Sequence, residues 1–210
     1  MKFVLFSGDD GLVKAVNEWG ADRVTRHGAK SLFLPTGGTP VPLYKAWESS
    51  KPAFLKGLQL SQLDEVVTGP LTGVFEKFFA DSLPSYASQF MKFNDVKGPG
   101  DLVILGIGLN GHVAFHEPGY PRTMVRDVVV VADQDCDAMK MPHGTKADTF
   151  GTGSFMKSKA ILLIARGASK LSLMKTMISD PHADFPAAYL REHPDFTILV
   201  DEAADPRKGV

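Results

Sequence analysis

Short, apolar runs separated by amphipathic stretches set the strongest limit on what this chain can fold into. The runs are "KFVLFS" (2–7), "SLFLP" (31–35), "LQLSQLD" (58–64), "DLVILGIG" (101–108), "DVVVVAD" (127–133), "AILLIAR" (160–166) and "FTILVD" (196–201). Most are apolar throughout rather than alternating, as expected for strands covered on both faces. "LQLSQL" does alternate, which places it nearer a sheet edge. Between runs, Leu12, Val13, Val16, Trp19, Ala21 and Val24 recur at helical spacing, and 40–50, 72–91 and 168–179 also read as helices. This alternation predicts an α/β fold: an open, mostly parallel, Rossmann-like sheet with helices on both faces and right-handed crossovers. No repeat or low-complexity linker interrupts residues 1–210, so the chain reads as one domain. "KGPGD" (97–101) and "MPHGTKADTFGTG" (141–153) read as loops.

Composition narrows the partners. With 44% hydrophobic and 22% charged residues and a formal net charge of −1, nothing favours nucleic acid or an anionic membrane surface. The longest apolar runs are far too short to span a bilayer. The N-terminal run of about four residues falls short of the roughly 7–15 of a signal h-region. The single cysteine, Cys136, excludes an internal disulfide. The expectation is a soluble, cytoplasmic protein acting on a small molecule.

In open α/β sheets the sites form beyond the carboxyl ends of the strands, and several motifs sit there. "GIGLNGHVAFHEPG" (106–119) contains Gly106-x-Gly108-x-x-Gly111, the dinucleotide-binding spacing. That site needs a helix of several turns from the third glycine, and Pro118, Gly119 and Pro121 cut one off within about two turns. The reading therefore carries no NAD. A metal reading fares little better. His112 and His116 are four apart and could share one face of a short helix, but no third ligand is evident. What remains is a cluster of glycine, His112 and Glu117 directly after a strand.

"LPTGGTP" (34–40) is a second glycine turn. Gly37 and Gly38 accept backbone angles closed to other residues. Thr39 suits an N-cap and Pro40 a first helical position. Backbone N–H groups with the Thr36 and Thr39 hydroxyls then converge on an anion. Lys170, in "RGASK" (166–170), opens another helix after a strand and could add a positive contact. Asp64 and Glu65 end the run 58–64, either as turn acids or as carboxylates facing the same crevice. An anion cradle, a carboxylate and a His–Glu pair together suit proton transfer on a phosphorylated small molecule.

These motifs are collinear with the glucosamine-6-phosphate deaminase/6-phosphogluconolactonase superfamily, and the chain resembles it over most of its length. "GIGLNGHVAFHEPG" resembles the deaminase signature, and "KADTFG" (146–151) a deaminase loop. "DFPAAYLREHPDFTILVD" resembles the C-terminal helix and strand. Lactonases share the Gly-His but usually lack the Glu-Pro, so Glu117-Pro118 favours the deaminase branch. The resemblance implies conversion of glucosamine 6-phosphate to fructose 6-phosphate and ammonia, without metal or organic cofactor. Asp64 would move the C2 proton. His112, supported by Asn110 and Glu117, would open the ring. Thr36, Gly37, Gly38, Thr39 and Lys170 would hold the phosphate. A lactonase would need only His112, and a degenerate site would leave a sugar-phosphate sensor.

The sequence also departs from the family. Asn110 replaces a frequent Asp, His116 an Asn and Val66 a Tyr. Residues 65–100, where a lid belongs, are short. The phosphate-binding Arg has no clear counterpart, leaving Lys140 or His143 as candidates. A related amino-sugar phosphate is therefore open as the substrate.

Overall fold

The computed structural model describes residues 1–207. Six parallel strands form the main sheet: β1 (Lys2–Leu5), β2 (Ser31–Leu34), β3 (Gln59–Gln62), β5 (Leu102–Gly106), β8 (Ala160–Ala165) and β9 (Phe196–Val200), in the order β1-β9-β8-β5-β2-β3. Three more, β4 (Asp64–Val66), β6 (Arg126–Val130) and β7 (Lys146–Phe150), form a small antiparallel sheet in the order β4-β7-β6. Seven α-helices complete the framework: α1 (Gly8–His27), α2 (Val41–Ser50), α3 (Val74–Ser82), α4 (Asp133–Met139), α5 (Thr152–Phe155), α6 (Leu171–Ser179) and α7 (Pro186–Tyr189). None of the described helices is long and apolar enough to cross a membrane.

The wholly apolar strands are buried on both faces, as their composition requires. On one face Leu32, Leu34, Ile104, Leu162 and Ile164 pack with α1 and α2 through Leu12, Val16, Leu43 and Trp47. On the other, Val103, Leu105, Ile161, Leu163 and Ile198 pack with Met174 and Met177 of α6. The alternating run 58–64 does lie at the edge, as β3. Gln59 is exposed, but Ser61 and Gln62 are buried, because a segment of 3-10 turns covers that edge and the Met91 N–H donates to the Leu60 carbonyl at 2.9 Å.

Three expectations need correction. The run 127–133 does not form a strand covered on both faces: β6 belongs to the small sheet and leaves Val128 and Val130 about half exposed. Residues 141–153, expected as a loop, contain β7, the middle strand of that sheet. Its polar sequence hid it, since Asp148 is neutralised by Arg126 through contacts of 2.8 and 2.9 Å. The helix expected over 72–91 stops at Ser82. Pro84 forbids helical geometry at Leu83, which sits at φ −134° and ψ 50°, and a 3-10 turn follows.

The two sheets meet where β3 gives way to β4. The Phe150 N–H donates to the Leu63 carbonyl at 3.0 Å. The Phe150 ring packs on Phe33 of the parallel sheet at 5.0 Å between centroids and on Phe93 at 5.9 Å. The Arg126 guanidinium covers both Phe93 and Phe150. Truncating this fully buried ring leaves a cavity between the sheets. Phe150→Ala should lower the unfolding free energy by about 3–5 kcal/mol, read by urea denaturation. A loss below about 1 kcal/mol, less than a single methylene deletion can cost, would show that Phe150 does not join the sheets.

Candidate active site

The carboxyl ends of β2, β3, β5 and β8 open onto one cavity of about 340 Å³, a size suited to a small organic ligand. Each strand delivers one chemical element to it.

After β2 the chain turns at Pro35, held by the buried Tyr44 hydroxyl of α2, which donates to the Pro35 carbonyl at 2.5 Å. Thr36, Gly37, Gly38 and Thr39 then border the cavity. Gly37 takes φ +90°, the left-handed geometry the turn needs. Among the described residues the N–H groups of Gly37, Gly38 and Thr39 donate to nothing within the protein, so they are free for an anion. The cap differs from expectation. Pro40, not Thr39, is the N-cap, and α2 starts at Val41. Lys170 arrives from the end of β8. The Asp201 carboxylate accepts the Gly167 N–H at 2.9 and 3.1 Å and fixes this turn. Lys170 is half-buried on the cavity wall; burial pulls its pKa down while Asp135 pushes it up.

Asp64 and Glu65 follow β3 and are both buried. Glu65 is fully engaged. Its carboxylate accepts N–H bonds from Val66, Phe75 and Glu76 at 2.8, 3.0 and 2.8 Å, and from the Gln62 amide at 2.8 Å. It therefore caps the first turn of α3 and is committed to structure. Asp64 lines the cavity, and its Oδ1 has no hydrogen-bond partner. Burial, reinforced by the neighbouring Glu65 charge and opposed by His112, raises its pKa to about 7. A carboxyl poised there is suited to general-base work near neutral pH.

The loop after β5 explains the glycines that imitate a nucleotide site. No helix follows Gly111. A Cβ on Gly108 would collide with the His112 imidazole, so this glycine lets the ring lie on the backbone. Gly111 sits at φ +89°, and a Cβ there would run into the Phe185 ring. His112 Nδ1 stands 3.0 Å from Glu117 Oε1, a close contact that is an ion pair only while the imidazole carries a proton on both nitrogens. The Asn110 amide donates to Glu117 Oε2 at 2.6 Å, while its oxygen accepts the His112 backbone N–H at 3.1 Å. Asn110 thus orients Glu117, not the imidazole as expected. Glu117 has a lowered pKa: burial raises it, but His112 and Asn110 outweigh that.

Sequence reasoning missed Asp135. It lies in the first turn of α4 on the cavity wall, with Oδ2 3.6 Å from His112 Nδ1. The only signal was its place two residues past the run 127–133, where three acids crowd together. His112, Glu117 and Asp135 offer ligand atoms within 4.8 Å of one another, so a cation has three donors here. The histidine pair read from spacing does not form. His116 is completely buried, accepts the Thr152 N–H at 3.0 Å and lies outside the cavity lining. Neither Lys140 nor His143 reaches the cradle. Lys140 ends α4 in a left-handed conformation, and His143 pairs with Asp137 at 2.8 Å.

The sequence model of a family described as glucosamine-6-phosphate isomerases/6-phosphogluconolactonase matches residues 74–198. The glucosamine-6-phosphate deaminase of Enterococcus faecalis is 33% identical over 85% of this chain and 88% of its own. That of Lactobacillus delbrueckii subsp. bulgaricus is 30% identical over 93% and 91%. The fold matches that of a monomeric glucosamine-6-phosphate deaminase, with a TM-score of 0.80 at 24% identity over 97% of this chain and 98% of that one. It also matches the 6-phosphogluconolactonase of Trypanosoma cruzi, with a TM-score of 0.74 at 15% identity over 100% and 97%.

Asp64 leaves a signature in stability. Folding keeps a proton on its carboxyl up to about pH 7, whereas the unfolded chain releases it near the ordinary value of 3.8. Where the native state binds more protons, stability falls as pH rises, here from about pH 4 to about pH 7. Asp64→Asn has no charge to bury. It should therefore gain stability over the wild type as pH rises through that window, the difference vanishing towards pH 4. Thermal melts of both proteins at pH 4.5 and pH 8 check this; an identical gap at both would mean that Asp64 ionises normally.

Proposed function

Because the chain belongs to the family of glucosamine-6-phosphate isomerases and 6-phosphogluconolactonases, we propose that it is a glucosamine-6-phosphate deaminase-type enzyme. It converts an amino-sugar 6-phosphate, with glucosamine 6-phosphate as the first candidate, into the ketose phosphate and ammonia. One observation carries this reading: Asp64 and His112, the latter paired with Glu117 behind it, face the same cavity as an anion cradle.

An aldose cannot isomerise while its ring is closed, so the reaction needs a proton-transfer group at the ring oxygen and another at C1/C2. The sugar phosphate would sit on the free N–H groups of Gly37–Thr39, beside Thr36 and against Lys170. His112 would carry the C1 hydroxyl proton to the ring oxygen, and Glu117, held by Asn110, would support the imidazolium formed. Asp64 would take the C2 proton while the substrate ammonium gives one of its protons to the C1 oxygen, forming an enolamine, and would then return its proton to C1. The resulting C2 imine adds water and expels ammonia, leaving the ketone. Every step is a proton transfer or an addition of water. The paired carboxylate at His112 is what separates this reading from lactone hydrolysis, where one base suffices.

The cradle is tested by substrate and by variant. Glucosamine 6-phosphate should release ammonia, with unphosphorylated glucosamine a very poor substrate. Lys170→Ala should raise KM roughly tenfold or more, since charge-assisted hydrogen bonds are worth about 1.5–3 kcal/mol. Hydrolysis of gluconolactone 6-phosphate without ammonia release would replace the proposal with a lactonase, and binding without either reaction with a sensor.

The acid–base pair is tested by additivity. His112→Gln, Glu117→Gln and the double variant should lose turnover to a similar extent, because residues acting as one unit are not additive. A substrate analogue that cannot cyclise should restore part of the rate in these variants but not in Asp64→Asn. Additive losses without such rescue would make Glu117 structural.

A further inference from the structure

Asp135 has no part in the scheme above, yet it occupies its centre. Its carboxylate clusters with His112 and Glu117 and lines the same cavity as Lys170 and the glycine turn. Oδ2 is completely covered, 3.6 Å from His112 Nδ1 and close to the Glu117 carboxylate, with no N–H or hydroxyl donor directed at it. A buried acceptor without a donor is costly, and a negative charge beside a phosphate cradle works against binding a dianion. A surface accident would carry neither cost. Burial lowers the Lys170 pKa and the Asp135 charge opposes that, while burial and Glu117 raise the Asp135 pKa against the pull of His112.

We propose that Asp135 is a positioning residue that couples occupancy of the phosphate cradle to the acid–base unit. In the empty site its charge is shared between the Lys170 ammonium and the His112 imidazole. A phosphate that pairs with Lys170 releases Asp135 to His112, so the imidazolium gains a second negative partner when substrate is present. The carboxylate weakens anion binding in the ground state and returns that free energy when His112 is charged. The assignment of the step to His112 rests on the deaminase reading, whereas the antagonism between Asp135 and the anion does not.

The nearly isosteric Asp135→Asn removes the charge and keeps the shape, and Asp135→Ser guards against a misplaced amide. Inorganic phosphate binding is measured by calorimetry, glucosamine 6-phosphate turnover by ammonia release, and folding by thermal melts. Both variants should bind phosphate about tenfold more tightly, within the usual range of coupling between sites. They should also show a lower KM and a kcat reduced about tenfold. Adding Lys170→Ala should abolish the gain in phosphate affinity. Unchanged phosphate affinity, or affinity and kcat falling together with a lower melting temperature, overturns the proposal, because a merely structural residue cannot improve binding while slowing turnover. If the wild type binds phosphate but releases no ammonia, the deaminase reading fails. The phosphate arm then decides whether Asp135 opposes the anion.

Discussion

Two carboxylates lie side by side where the chain leaves the parallel sheet, and much of the site depends on how differently they are treated. Glu65 meets four donors and ties β4, Gln62 and the start of α3 into one junction. Asp64, equally buried, keeps an oxygen without a partner. Burying a carboxylate without donors favours its neutral form, and the fixed charge of Glu65 adds to that effect. The structure thus spends the available donors on the residue that holds the backbone, which leaves the neighbour chemically available.

The same economy of space shapes the loop after β5. Its glycines carry the spacing of a nucleotide site, but their room is occupied by the protein's own side chains, His112 above Gly108 and Phe185 above Gly111. The loop is held by hydrogen bonds from both flanks: the Phe115 N–H to Thr149 Oγ1 at 3.2 Å, and the Ala187 N–H to the Gly111 carbonyl at 2.9 Å. An imidazole lying on backbone, with its carboxylate partner five residues later, needs no long helix behind it.

Strands and helices of the main sheet were legible because burial on both faces demands runs such as "AILLIA", which few other structures accept. The small sheet was not. β7 reads as a polar loop until Arg126 is placed beside Asp148, a pairing that depends on a partner strand 22 residues away. Asp64, His112, Glu117, Lys170 and the Thr36–Thr39 turn were legible because each follows a strand, and strand ends converge in this architecture. Asp135 follows a strand of the other sheet, so the rule gave no reason to place it there. The true cap of α2 was obscured by consecutive candidates, Thr39 and Pro40.

The division into two sheets places Asp64 and His112, which line one cavity, on different bodies. Asp64 is carried by β4 of the small sheet, whereas His112 and the glycine turn hang from strands of the large one. The spacing between them is therefore set by how closely the sheets approach, through the packed rings of Phe33, Phe93 and Phe150. A lineage of such proteins could fit a longer or shorter sugar by changing the volume of those buried rings, with every residue that touches the ligand left as it was.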